Sequence, residues 1–187
     1  MNIRRSIASA LVAATLLAVV SAVQASDAVA PKADARVEHG RYMVAIMGCN
    51  DCHTPGTFYG APDAERFLSG SELGWVGPWG VVYAANLTPD AETGLGKWKP
   101  EEIAKAIRSG NRPDGRQLAT AMPWRNYAAL TVDDALAIAL YLKTLKLVKH
   151  AVPKPVEPGI EVKGALLTFP PPSPWDAPRA PAEGAQK

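Results

Sequence analysis

The segment Cys49-Asn50-Asp51-Cys52-His53 holds both cysteines of a 187-residue chain, and it constrains the fold more than any other stretch. It reads C-x-x-C-H, the pattern for covalent attachment of a c-type haem. Two thiols separated by two residues on a helical turn can add to the two vinyl groups on one porphyrin edge. The imidazole that follows can then reach the iron from one face. The same cysteines admit other readings. In an oxidising compartment they could pair as a disulfide, and C-x-x-C can also be a redox-active dithiol. His53 argues for haem, and the lack of a βαβ pattern argues against a thioredoxin-like motif. A structural zinc site would need two more ligands. The remaining histidines, His39 and His150, stand in no metal-ligand spacing and read as surface or helix-end residues.

The N-terminus has the layout of a secretory signal peptide over residues 1–25. Arg4 and Arg5 form the basic region, Ile7 to Val20 the apolar region, and Val23-Gln24-Ala25 a small-residue cleavage site. The apolar run is shorter than the roughly 18–20 residues that a membrane span prefers, so no stable span is expected after cleavage. Removing the segment takes Arg4 and Arg5 from the 20 basic residues and none of the 18 acidic ones, which leaves a formally neutral chain. There is no basic run and no aromatic-plus-arginine stripe, and nucleic acid is not an expected partner. Export points to the periplasm.

Residues 26–36 read as a flexible linker. From Val37 the pattern turns helical, with Val37, Tyr42, Ile46 and Met47 as the expected buried face. Met43 and Met47 read as core packing. Pro55-Gly56 ends the helical segment. Residues 54–86 read as irregular, with recurring glycines and prolines. Phe58, Tyr59, Phe67, Trp75, Trp79 and Tyr83 are interleaved there, and the rings either wrap a large flat apolar object or pack on the core. Gly80 to Asn86 reads as a short extended stretch. A second helix opens at Pro100, which suits a first turn. Glu101 and Glu102 complement its dipole, Ile103, Ala106 and Ile107 point inward, and Gly110 closes it.

Met122 precedes Pro123 on a loop, off any helical stripe. Its thioether suits haem iron, and methionine is equally a gap filler. Thr131-Val132-Asp133-Asp134 resembles an N-cap, followed by Ala135, Ile138, Ala139, Leu142 and Leu145 on one helix face. From Ala151 nine prolines fall between Pro153 and Pro181, which excludes continuous helix. This 151–187 tail reads as an extended strap anchored by Leu166, Leu167, Phe169 and Trp175, or as a partner-docking arm. Residues 177–187 read as disordered.

Five ordered stretches carry a family resemblance. They are Gly40-Arg41-Tyr42 with Gly48 to Pro55; Val82 to Asp90; Thr93 to Trp98; Asp114-Gly115-Arg116 with Met122-Pro123-Trp124; and Ala137 to Lys143 with Leu145. Over about Val37 to Leu147 the chain resembles the class I cytochromes c, and the cytochrome c domain is expected over 37–150. More narrowly, it is similar to the haem domains in cytochrome subunits of bacterial periplasmic alcohol and sugar dehydrogenases. The resemblance implies an all-α fold, a small domain of helices and long loops around one covalently bound haem c. It implies thioethers at Cys49 and Cys52, with His53 and Met122 as the axial iron ligands. Those subunits usually carry several haem motifs and this chain has one, and the proline-rich tail has no counterpart in the family pattern.

The implied function is single-electron transfer, not catalysis, between a periplasmic dehydrogenase or other donor and a respiratory acceptor. A dedicated subunit of a dehydrogenase complex is the alternative, and an open-site haem enzyme or sensor a further one. Asn86, Trp98 and Arg116 are candidates to steady the haem propionates.

Overall fold

The computed structural model describes residues 34–169. The expected signal peptide, residues 26–33 of the expected linker, Trp175 and the 177–187 stretch lie outside the described residues.

Three helices form the frame: α1 (Ala35–Ile46), α3 (Pro100–Ser109) and α5 (Val132–Thr144). Local chemistry starts and stops them. Thr131 Oγ1 accepts the Asp134 N–H at 3.0 Å and caps α5. Pro100 opens α3, Glu102 Oε2 accepts the Lys99 N–H at 2.8 Å, and Gly110 ends the helix at a φ of 73°. Two short helices, α2 (Cys49–His53) and α4 (Trp124–Tyr127), carry the site and its surroundings.

The core lies where α1 and α3 pack on α5. Val44, Leu68, Leu95, Ile103, Ile138, Ala139 and Leu142 fill it, with Met43, Met47, Ile107 and Leu145 packed against it. The α1–α5 contact is close because Gly40 has no side chain. A Cβ there would overlap the Ala137 carbonyl and lie 3.0 Å from Ile138 N. Gly40 and Val44 therefore face α5, and Tyr42 and Ile46 stay exposed at 56% and 59%. This corrects the expected burial of Tyr42 and Ile46, while Met47 packs against the core as expected, because backbone proximity sets the rotation of α1. Helix α1 also begins at Ala35, inside the expected linker.

A three-stranded sheet stands beside the helices, an element outside the all-α expectation. It comprises β1 (Gly74–Gly77), β2 (Gly80–Tyr83) and β3 (Leu166–Thr168), in the order β2-β1-β3. β1 and β2 form an antiparallel hairpin, and β3 pairs parallel to β1. The segment read as irregular thus contains one strand more than the expected extended stretch. The pairing satisfies backbone groups that would otherwise need water.

The first part of the proline-rich tail is a strap. Val156 exchanges two backbone hydrogen bonds with Val81, each 2.9 Å, before β3 joins the other side of the hairpin. Phe169 stacks on Trp75 at 5.8 Å, and Phe58 meets Trp75 edge-on at 5.4 Å. These rings pack on one another and on the strap. At the opposite side, Lys143 Nζ donates to the carbonyls of Leu95, Gly96 and Trp98 at 3.0, 2.8 and 3.2 Å, which fastens the loop before α3 to α5.

Candidate functional site

The site begins where α1 stops. Gly48 takes a φ of 65°, a left-handed conformation that costs glycine little, and the chain turns into α2. That single turn brings Cys49, Cys52 and His53 together. Both cysteines are unpaired thiols and half-buried. Burial pushes the Cys49 thiol up to about 11, with smaller upward contributions from Cys52 and Asp51. Burial, then Asp51, raises Cys52 as well. A reactive dithiol needs a lowered thiol pKa, so the environment disfavours the redox-dithiol reading.

His53 is buried at 8% exposure. Its Nδ1 lies 2.7 Å from the Ala85 carbonyl oxygen, which can only accept. Nδ1 therefore carries the proton and donates it, and Nε2 presents its lone pair. Burial lowers the pKa of the ring, opposed by the bond to Ala85, so the imidazole is neutral at neutral pH. A neutral imidazole with Nδ1–H tied to a backbone carbonyl is the arrangement that fixes a histidine for metal ligation.

The surrounding backbone is held from several directions. The Gly70 N–H donates to His53 O at 2.8 Å, and the Leu68 N–H donates to Thr54 Oγ1 at 2.8 Å. Leu68 is fully buried with a φ of 56°, a strained conformation for a residue with a side chain. Its carbonyl accepts the Leu87 N–H at 2.9 Å. Strain of this kind persists only where the surroundings over-determine it, and here the core and two hydrogen bonds do so. The result is a rigid floor beneath His53 built from 53–54, 68–70 and 84–87.

Met122 sits half-buried on the turn before α4, with its N–H on Ala119 O and its carbonyl accepting the Trp124 N–H. Tyr127, on α4, donates its hydroxyl to Met47 O at 3.2 Å. Burial first, then the neighbouring Cys49, Cys52 and Asp51, push the Tyr127 phenol up to about 12. Tyr127 thus ties the segment bearing Met122 to the α1–α2 turn bearing the thiols.

The remaining candidates are held by partners of their own. Asn86 does not present its amide to a ligand. Nδ2 donates to Thr93 Oγ1 and Val148 O at 3.0 and 2.8 Å, and Oδ1 accepts the Thr88 N–H and hydroxyl at 2.9 and 2.8 Å. Arg116 is exposed and paired with Asp114 at 3.0 Å. It is Arg112 that stacks over Trp98, 5.1 Å from the ring centroid. His39 lies at the surface, bonded to Asp134 at 2.7 Å. His150 is not a surface residue, since its side chain is only 13% exposed. Ala85, Leu68, Tyr127 and Glu72 were not among the sequence candidates. Ala85 and Thr54 lay inside quoted motifs, but Ala85 acts through its carbonyl, which leaves no trace in residue type.

Among the described residues no group of three or more His, Cys, Asp or Glu side chains could hold a metal ion by itself. None of their helices is long and apolar enough to cross a membrane.

No protein-family model matches the chain. It is 36% identical over 105 residues to the cytochrome c subunit of a quinone alcohol dehydrogenase from Gluconobacter oxydans, covering 56% of this chain and 20% of that one. It is 33% identical over 108 residues to the fructose dehydrogenase cytochrome subunit of Gluconobacter japonicus, 58% of this chain and 21% of the relative. A gluconate 2-dehydrogenase cytochrome c subunit from Pantoea cypripedii is 32% identical over 108 residues, 58% and 23%. The matched stretch spans about a fifth of the length of these relatives. The similarity is to cytochrome subunits of dehydrogenases, as the quoted motifs imply.

Proposed function

We propose that this chain is a mono-haem c-type cytochrome of the periplasm. It passes single electrons from a dehydrogenase, as a mobile carrier or as its cytochrome subunit, toward a respiratory acceptor. Its fold is the small helical cytochrome c domain with a hairpin and strap added. The observation that carries this reading is the buried His53 immediately after the two cysteines, with Nδ1–H on Ala85 O and Nε2 left to bind.

Cys49 and Cys52 would hold the haem covalently, and His53 and Met122 would ligate its iron. When bound, haem supplies the one-electron iron couple. The protein does the rest. Ala85 fixes the tautomer and orientation of His53 and raises its basicity as a ligand. A neutral imidazole and a neutral thioether favour a raised potential. With His53 and Met122 both on the iron, no position would be left for substrate, and the site would serve as a carrier. The hydrogen-bonded backbone of residues 53–54, 68–70 and 84–87 would hold His53 in place as the iron changes oxidation state. Partner contact should be small and transient, or anchored where the chain is a dedicated subunit. The dehydrogenase subunits among its relatives support the choice of donor.

The test is an intact mass and an optical spectrum of the exported protein, oxidised and reduced, for wild type and Met122→Ala. A c-type spectrum with a methionine-to-iron charge-transfer band that the variant loses is the expected result. Absence of covalent haem would overturn the reading, and a spectrum indifferent to Met122 would remove the carrier assignment.

A further inference from the structure

His150 is the last residue before the strap, and both of its ring nitrogens face acceptors. Nδ1 lies 2.8 Å from Ser69 O and 3.4 Å from Ser69 Oγ, and Nε2 lies 2.8 Å from Glu72 Oε1. A carbonyl and a carboxylate accept and do not donate. Both short bonds are made together only when each nitrogen carries a proton, so the observed arrangement is that of the imidazolium. A neutral ring must give up one of the two.

Charged groups surround the pair, and Lys163 lines the same pocket as Glu72. Glu72 also accepts from Arg66 Nη1 at 3.0 Å, and Arg66 Nε donates to Asp63 at 2.8 Å. Lys146 pairs with Glu65, and Lys149 with Glu92, each at 2.6 Å. On the remaining side the Thr93 hydroxyl accepts the His150 N–H at 3.0 Å, and Thr93 itself leans on Asp90. With His150 protonated, Asp63, Arg66, Glu72 and His150 sum to zero. Histidine is the residue type in this set that changes charge between about pH 5 and 8.

The cluster is joined to the backbone on both sides of His53. Ser69, whose carbonyl holds His150, precedes Gly70, whose N–H holds His53 O at 2.8 Å. Ser71 N–H donates to Ala84 O at 3.0 Å, one residue before the carbonyl that orients the His53 ring. Asn86, one residue after it, reaches Val148 O at 2.8 Å and His150 O at 3.4 Å.

We propose that His150 and Glu72 form a proton-operated clasp that fixes the root of the strap, positions the backbone around His53, and makes the potential of the site depend on pH. The last clause rests on the haem reading above. His150 and Glu72 are positioning residues, acting through the backbone of 69–71 and 84–86. As pH rises and His150 gives up its proton, one bond is lost and the cluster becomes net negative. Negative charge near the site favours the oxidised form, so the midpoint potential falls.

The experiment uses the full holo-protein. Midpoint potentials from pH 5 to 8 are measured for wild type, His150→Gln and Glu72→Gln, and the His150 ring nitrogens are followed by 15N NMR in the reduced state. The wild-type potential should fall with rising pH. That fall should be lost in His150→Gln and diminished in Glu72→Gln, which carries the test should the first variant misfold. Both ring nitrogens should be protonated while the clasp is closed. Identical pH profiles in wild type and variants, or a ring that titrates without moving the potential, would overturn the proposal. If wild type lacks covalent haem, the earlier reading fails instead. The clasp is then judged by exchange of the Val156 amide, which is bonded to Val81 O. It should exchange faster in His150→Gln relative to the amide of Ile103, and an unchanged ratio refutes the clasp.

Discussion

Replacing Gly40 by alanine tests the central helix contact. In an isolated helix the change would help by about 1 kcal/mol, because glycine is a poor helix former. Here the added methyl overlaps the Ala137 carbonyl and stands 3.0 Å from Ile138 N. These are backbone atoms, so no rotamer change relieves the clash. The helices must part by on the order of 1 Å, and gaps of that size forfeit up to about half of the dispersion well for each facing atom pair. Val44, Ala137 and Ile138, each 1–2% exposed, line that interface and would lose contact together. Overpacking of a core typically costs about 1–3 kcal/mol. A backbone clash belongs at the upper end, so the net loss after the propensity gain is about 2 kcal/mol. That is a large fraction of a domain stability of about 5–15 kcal/mol. Guanidinium unfolding followed by circular dichroism should show the midpoint falling by about 0.3–1 M, given an m-value of about 2–6 kcal/mol/M. An unchanged or raised midpoint for Gly40→Ala would refute the close α1–α5 approach and the rotation of α1 derived from it.

Leu68→Ala empties a fully buried position beneath the candidate site and should cost about 2–5 kcal/mol by equilibrium unfolding. A loss under about 1 kcal/mol would mean that the strained Leu68 turn is not the support it is taken to be. Acid titration supplies another check. Hydrogen bonds from His39 and Thr131 hold the Asp134 carboxyl below the usual range, and Thr93 does the same for Asp90. A carboxylate with a depressed folded-state pKa contributes stability that is present above its unfolded value and lost as pH falls through the folded one. Stability should therefore decline below about pH 4, less steeply in Asp134→Asn than in wild type. Parallel acid profiles for the two proteins would count against the His39–Asp134 tie.

The sequence by itself determined the parts whose chemistry is local. Pro100 with Glu102 and Gly110 bounded α3, Thr131 capped α5, and the helical spacing from Ala135 to Leu142 marked a buried face, because caps and periodicity act between neighbours in the chain. Cys49, Cys52 and His53 were legible for the same reason, as one turn carries all three. The tertiary structure decided what depends on partners far along the chain. β1 contains two glycines and has little strand propensity of its own. It exists because β2 and the distant β3 pair with its backbone. Asn86 was legible as a candidate but not as a knot, since its acceptors belong to residues near 148. The face of α1 was misread because a glycine that admits a carbonyl outweighs two large apolar side chains in setting rotation. The decisive contact, His53 with the Ala85 carbonyl, uses a group that every residue possesses. Its identity follows from where the folded backbone passes and from nothing in the side chain at that position.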